Sequence, residues 1–157
     1  MKVEFKKIVE RDKFDRLFQL YLSELSLYYP APYNYEECLY EYDDINRYFN
    51  DNNHYSYFIY LNNNIVGFVL IDDNSNDNYE LSEIFILNQV KNQGIGTIVV
   101  NKIFDKYKGN WIIKVVPNSK KAENFWMKTI KEYTNNNFEV IYTGKYNRAE
   151  FSFNNKK

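Results

Sequence analysis

The chain has 157 residues, of which 45% are apolar and 19% aromatic, and this composition excludes an intrinsically disordered protein. The net charge of −1 excludes a general attraction to nucleic acids or membranes, and neither is expected as a partner. With one cysteine and one histidine the chain cannot form an intramolecular disulfide, and no metal is expected. No signal peptide or long apolar run is visible, so we expect a cytoplasmic protein with one domain over residues 1–157.

The predicted elements begin with a strand over residues 3–9 and an amphipathic helix over residues 14–25. Two prolines end this helix, and a second helix is predicted over residues 36–49. The hydrophobic period then becomes that of strands, and asparagine-rich residues 62–64 predict a hairpin turn. The three predicted strands cover residues 55–61, 65–71 and 79–87.

The next predicted elements are a helix over residues 99–107 and a strand over residues 111–116. Another helix over residues 122–133 and a closing hairpin over residues 138–153 follow. The run at 111–116 is apolar except for Lys114, which predicts a strand buried on both faces. A strand, a helix and a strand in succession require a parallel crossover. The predicted fold class is therefore α/β (α+β), with a mixed sheet and helices packed on it.

The segment from Lys91 to Thr97 lies between a predicted strand and a predicted helix. A helix N-terminus presents unpaired N–H groups and a partial positive charge, and therefore attracts anions. Gly94 and Gly96 would let a phosphate approach the backbone, and Lys91 adds a cation. These features predict a diphosphate cradle, although a plain helix-capping loop would have the same glycines.

Two other phosphate-binding loops are excluded by spacing. A Walker-type loop needs a lysine between its second glycine and the following Ser or Thr, whereas Thr97 directly follows Gly96. A dinucleotide fingerprint needs a third glycine where this chain has Val99.

The central residues resemble the GNAT superfamily of N-acetyltransferases. Residues 83–96 look like its strand and its acetyl-CoA motif, Arg/Gln-x-x-Gly-x-Gly/Ala, with Lys91 at the first position. The family's next motif is resembled by the strand at 111–116 and by Asn118, Ala122, Phe125 and Trp126. The resemblance implies a GNAT-like, mostly antiparallel sheet of about seven strands with about four helices, and a parallel crossover at the cofactor site.

The resemblance also implies that acetyl-CoA is the co-substrate. Backbone N–H groups from Asn92 to Thr97 would hold its diphosphate, and the strand ending near Leu87 would bind the pantetheine arm and the acetyl carbonyl. The cofactor-binding residues expected on this basis are Ile84, Phe85, Ile86, Lys91, Asn92, Gln93, Gly94, Ile95, Gly96, Thr97, Asn118, Phe125 and Trp126.

Two residues depart from the family pattern. Asn118 stands one position too early for the usual pantetheine contact. Trp126 stands where a tyrosine often protonates the leaving thiolate, and an indole N–H does not deliver a proton at neutral pH. Tyr133 is therefore our candidate for the acid, with Tyr142 or water as alternatives.

Glu83 is the candidate general base, because a carboxylate beside a cofactor cleft can have a raised pKa. Strand alternation puts it on one face with Phe85, opposite Ile84 and Ile86. A solvent-facing glutamate or a structural ion pair is the alternative for this residue, and Glu80 is a weaker candidate base.

The acceptor site is expected in the first two predicted helices, where tyrosines alternate with acids. Acids attract ammonium groups, and tyrosine rings bind them by cation–π contact, which favours a cationic acceptor such as a polyamine, an aminoglycoside or a basic peptide. A solvated acidic helix face with core tyrosines would show the same pattern. The residues concerned are Tyr28, Tyr29, Tyr33, Tyr35, Tyr40 and Tyr42, with Glu24, Glu36, Glu37, Glu41, Asp43 and Asp44.

The function implied by the resemblance is acetyl transfer from acetyl-CoA to a primary amine, by direct attack in a ternary complex. The alternative is a non-catalytic acyl-CoA-binding sensor or scaffold, which the tryptophan at position 126 favours. The sequence leaves the acceptor amine unnamed and a homodimer open.

Overall fold

A computed structural model describes all residues from Met1 to Lys157. The strands are β1 (Val3–Lys7), β2 (Tyr33–Asn34), β3 (Leu39–Tyr40), β4 (His54–Leu61), β5 (Asn64–Asp73), β6 (Asn78–Ile86), β7 (Asn110–Lys114), β8 (Glu139–Thr143) and β9 (Arg148–Asn154). The helices are α1 (Arg11–Leu25), α2 (Arg47–Asn50), α3 (Ile95–Lys106) and α4 (Lys120–Tyr133), and a single 3₁₀ turn covers Asn88–Val90. None of these helices has the length and hydrophobicity needed to span a bilayer.

Seven strands form one mixed sheet in the order β1-β4-β5-β6-β7-β9-β8, and β2 and β3 form a separate hairpin. All neighbours in the large sheet pair antiparallel except β6 and β7, which are parallel and are joined through α3. The predicted fold class, with its mostly antiparallel sheet, four helices and one parallel crossover, is confirmed.

A hydrophobic cluster lies on each face of the sheet. One cluster packs α3 and α4 against it, through residues such as Val99, Phe104 and Ile130. The other packs α1 against β5, where the rings of Phe14 and Phe68 meet edge to face at 5.0 Å. Full burial of each such side chain stabilises the fold by about 1.5–3 kcal/mol, so these two faces hold the sheet in place.

The prediction of a helix over residues 36–49 is wrong. Most of this segment consists of β3 and the turns on either side of it. The side chain of Asn34 accepts the N–H groups of Glu36 and Glu37, each at 3.0 Å, which favours a turn over a helix. Cys38 and Asp44 have positive φ angles of 57° and 56°, which a helix does not allow. Only Arg47–Asn50 is helical.

The prediction that residues 111–116 form a strand buried on both faces is also wrong. Trp111 and Ile113 are fully buried under α3 and α4, but Ile112 is 37% exposed. The reason is the placement of the first two helices. α1 packs on β5 and α2 packs on β4, so neither helix covers the face of β7 that carries Ile112.

Gly67 lets β5 and β6 lie close together, and its replacement tests that constraint. A Cβ at this position would lie 1.9 Å from the carbonyl oxygen of Phe85, so Gly67→Ala must force the two strands apart. We expect the free energy of unfolding to fall by about 2–3 kcal/mol, measured by urea denaturation. Asn64→Ala, at an exposed position of the same strand, should change it by less than about 0.5 kcal/mol. Equal stability of the two variants would contradict the close approach.

Candidate active site

A groove of about 1140 Å³ opens where β6 and β7 separate. The two strands pair only through Asn78–Glu80 and Asn110–Ile112. Beyond these residues β6 stays paired with β5 as far as Ile86, whereas β7 stays paired with β9. A bulge in the β5–β6 register at Ser82 adds local twist to β6, and twist of this kind carries the strands apart.

The edge of β6 that faces the gap has free backbone groups. Leu87 donates its N–H to the carbonyl oxygen of Val66 on β5 at 2.8 Å. Because successive residues of a strand turn their N–H and C=O groups to opposite sides, those of Ile84 and Ile86 point away from β5, into the gap. The groove therefore offers strand-type hydrogen bonds to an extended ligand.

The N-terminus of α3 closes one end of the groove. Gly94 is the N-cap residue, with φ 78°, and no side chain caps the helix. The first backbone hydrogen bond of the helix runs from Ile98 to Gly94, and no protein group accepts the N–H groups of residues 92–97. A Cβ on Gly94 would meet nothing within 4 Å, so the space beside the N-cap residue is open. The arrangement fits a diphosphate, because the donors and the helix dipole both favour negative charge.

Gly96 lines the groove and also has a packing role that the sequence did not indicate. A Cβ at this position would lie 3.2 Å from the ring of Phe125, so the absence of a side chain lets α3 approach α4. Trp126 is 6% exposed and meets Phe125 edge to face, with ring centroids 5.1 Å apart. Phe125 and Trp126 both line the groove and form its apolar wall.

Two predicted cofactor residues contact the segment around the end of α1. The ammonium group of Lys91 lies 2.8 Å from a carboxylate oxygen of Glu24 on α1. The side-chain amide of Asn118 donates to the carbonyl oxygen of Tyr28 at 2.8 Å. Lys91 still lines the groove, whereas Asn118 and Gln93 do not. Every other predicted cofactor-binding residue does.

Glu83 lies in the wall of the groove, on the sheet face that α1 covers. Its carboxylate accepts hydrogen bonds from the hydroxyl groups of Tyr21 on α1 and of Tyr42, the latter at 3.1 Å. Burial raises the pKa of Glu83 to about 7, although the two tyrosine hydrogen bonds act in the opposite direction. Glu83 forms no ion pair, unlike Glu80, which lies 3.5 Å from Lys114.

The structure places Tyr133, the expected acid, outside the groove. Its hydroxyl donates to Asp105 at 2.9 Å, and its ring packs on Phe104 and Phe153. Tyr133 lies seven residues beyond Trp126, which is about 10 Å further along the helix axis, and it does not line the groove. Tyr142, the alternative, lies on β8 and also does not line the groove.

The acidic residues expected at the acceptor site are mostly elsewhere. Among them only Glu24 lines the groove, and Lys91 neutralises it. Tyr28, Tyr29 and Tyr42 do line the groove.

The sequence analysis did not identify Tyr21 as a partner of Glu83, although the two are hydrogen-bonded. The sequence signal that could have indicated it is the hydroxyl group of Tyr21 within the apolar stripe of α1.

No three His, Cys, Asp or Glu side chains are grouped so that they could hold a metal ion.

Comparison with known proteins is consistent with this geometry. A family model described as the acetyltransferase (GNAT) family matches residues 14–130. No curated protein sequence matches the chain. An acetyltransferase structure from Thermus thermophilus superposes with a TM-score of 0.71 at 14% identity, covering 98% of this chain and 97% of that one.

Two further solved structures contain coenzyme A. One is spermidine N-acetyltransferase from Vibrio cholerae in complex with CoA and spermine, with a TM-score of 0.64, 15% identity, and coverage of 98% and 95% of the two chains. The other is PaiA N-acetyltransferase from Thermoplasma acidophilum in complex with coenzyme A, with a TM-score of 0.60, 15% identity, and coverage of 98% and 99%. At these identities the solved structures establish a shared fold, and the family match over residues 14–130 shows that the chain belongs to the GNAT acetyltransferase family.

Proposed function

We propose that the chain transfers the acetyl group of acetyl-CoA directly to a primary amine, with Glu83 as the general base. The observation that carries this proposal is the Glu83 carboxylate, which lines the groove beside the free edge of β6 and has a pKa of about 7. A base with a pKa near the working pH is abundant in its deprotonated form and is still basic enough to take a proton.

Two parts of the groove would bind acetyl-CoA, the N-terminus of α3 and the free edge of β6. The unpaired N–H groups at the start of α3 would hold the diphosphate, with Phe125 and Trp126 as an apolar wall beside it. The exposed backbone groups of Ile84 and Ile86 would bind the extended pantetheine arm, and an N–H in this row would donate to the acetyl carbonyl oxygen. Such a donor stabilises the charge that develops on that oxygen during transfer.

Glu83 would take one proton from the ammonium form of the acceptor. The neutral nitrogen then attacks the acetyl carbon, the C–N bond forms and the C–S bond breaks. The nitrogen gives up a second proton, the departing thiolate gains one, and Glu83 returns its own proton to water. Tyr21 and Tyr42 keep the carboxylate oriented through their hydrogen bonds, so that it faces the acceptor in one position.

The thiolate would be protonated by solvent, because α4 presents Trp126 to the groove and Tyr133 lies outside it. A thiol has a pKa near 8.5, so its thiolate leaves readily and gains a proton from water. Because no tyrosine of α4 lines the groove, a second candidate function is also favoured, an acyl-CoA-binding sensor or scaffold without turnover.

The pH dependence of transfer tests Glu83. With saturating amine, kcat should rise with pH through an apparent pKa near 7, because only the deprotonated carboxylate accepts the proton. Glu83→Gln should lower kcat about 100-fold or more and remove this limb of the profile, as measured by thiol release with a panel of primary amines.

The matched control is Glu80→Gln, which removes a neighbouring carboxylate of the same strand that is paired with Lys114. It should keep the limb near pH 7. A profile that is unchanged in Glu83→Gln would contradict the assignment, and tight acetyl-CoA binding without turnover of any amine would support the sensor instead.

Gly94→Asp tests the diphosphate cradle. The new carboxylate would occupy the open space before the N-terminus of α3 and repel the diphosphate, so calorimetric titration should show acetyl-CoA affinity reduced about 100-fold or more. Gly144→Asp is the matched control, because Gly144 also has a positive φ and open space around its Cβ position, but lies outside the groove. Equal affinities of the two variants would disprove the cradle.

A further inference from the structure

Arg148 is a cationic side chain of the groove that has no partner. It begins β9, is partly buried, and lines the groove together with Glu83. It makes no ion pair, no side-chain hydrogen bond and no cation–π contact. An arginine that lines a groove and forms no ion pair with a protein acid is free to bind an anion from outside.

Arg148 lies on the same face of the sheet as Glu83. Ala149, Phe151 and Phe153 point from β9 into the cluster below α3 and α4. Strand alternation therefore turns Arg148 to the opposite face, which is the face on which Glu83 meets Tyr21 of α1. The guanidinium and the carboxylate thus stand on either side of the gap between β6 and β7.

Tyr29 lies near both of these charged groups. Burial and the Glu83 carboxylate raise the pKa of its hydroxyl, whereas the Arg148 guanidinium lowers it. Tyr29 also lines the groove. An acceptor that binds at Glu83 therefore has Tyr29 and Arg148 in the same groove.

Other cationic side chains on this face are already engaged. Lys91 pairs with Glu24, and Lys114 pairs with Glu80. Arg47 donates to the carbonyl oxygens of Asp43 and Asp44, at 3.1 Å and 2.9 Å, and to a tyrosine hydroxyl. The unpaired lysines of the groove, Lys121 and Lys128, belong to α4 on the other face.

We propose that Arg148 determines acceptor specificity by binding a carboxylate of the acceptor, so that the substrate is an amino acid or another molecule with both a primary amine and a carboxylate. This inference rests on the proposed acetyl transfer. A lone guanidinium matches a carboxylate because its two parallel N–H donors meet the two oxygens. A phosphate dianion would need further free donors, and the N–H groups of Lys91, Lys114 and Arg47 on this face already bind protein groups. A polyamine would bring positive charge toward Arg148.

The test compares ω-amino acids from glycine to 6-aminohexanoate with the alkylamines of the same chain lengths that lack the carboxylate. The readout is kcat/KM, measured by thiol release from acetyl-CoA. For at least one chain length we expect the amino acid to react about 10-fold faster or more than its alkylamine. Arg148→Met should abolish this ratio, and Arg148→Lys should retain part of it.

Lys121→Met is the matched control, since it removes an unpaired cation of the groove on the other face and should leave the ratio unchanged. Acetyl-CoA affinity, measured by calorimetry, should be the same in Arg148→Met as in the wild type, which shows that the groove is intact. Alkylamines or spermidine reacting as well as every amino acid, with no effect of Arg148→Met, would overturn the inference and leave acetyl transfer standing.

A binding experiment separates the two proposals if no amine is acetylated. The protein saturated with CoA is titrated with the same amino acids and alkylamines by calorimetry. Binding of an amino acid that Arg148→Met abolishes would uphold the role of Arg148 and contradict transfer. Absence of amino acid binding to the wild type would overturn both.

Discussion

The separation of β6 from β7 is the constraint on which the site depends. Each strand is held by its other neighbour, β6 by β5 and β7 by β9, and the two share only three paired positions before they diverge. The gap leaves the backbone edge of β6 without a protein partner, in a part of the fold where hydrogen bonds are normally satisfied. The α3 N-terminus adds unpaired donors at the end of the same gap. An extended anionic thioester would supply hydrogen-bond partners both for the edge of β6 and for the N–H groups at the start of α3.

The same geometry also sets the electrostatics of the groove. Because α1 covers the sheet face that carries Glu83, the carboxylate loses water, and its pKa rises to about 7. Tyr21 and Tyr42 supply hydrogen bonds that keep it oriented, and no side chain forms an ion pair with it. Lys91 is neutralised by Glu24, whereas Glu83 and Arg148 are opposite charges on one face of the groove and neither forms an ion pair. An acceptor with both an amine and a carboxylate would complement these two charges.

Much of the fold could be predicted from hydrophobic period and from the loop at Lys91–Thr97, because helices, strands and a helix N-terminus are local features. The hairpin at β2 and β3 could not, since Asn34 and the left-handed Cys38 decide it within a tyrosine-rich segment that has a helical period. The position of Tyr133 outside the groove could not be predicted, because it depends on packing against Phe104 and Phe153 from distant parts of the chain. Arg148 escaped notice because its position depends on the pairing of β9 with β7, which is a long-range property.

Amide hydrogen exchange, followed residue by residue by NMR with and without acetyl-CoA, tests the gap between β6 and β7 most directly. Without ligand, the N–H groups of Ile84 and Ile86 and those at the start of α3 should exchange faster than their neighbours that bond within the protein. Acetyl-CoA should slow the exchange of both sets together, because the pantetheine arm and the diphosphate would accept these donors. Unchanged exchange at Ile84 and Ile86 in the saturated protein would contradict the account.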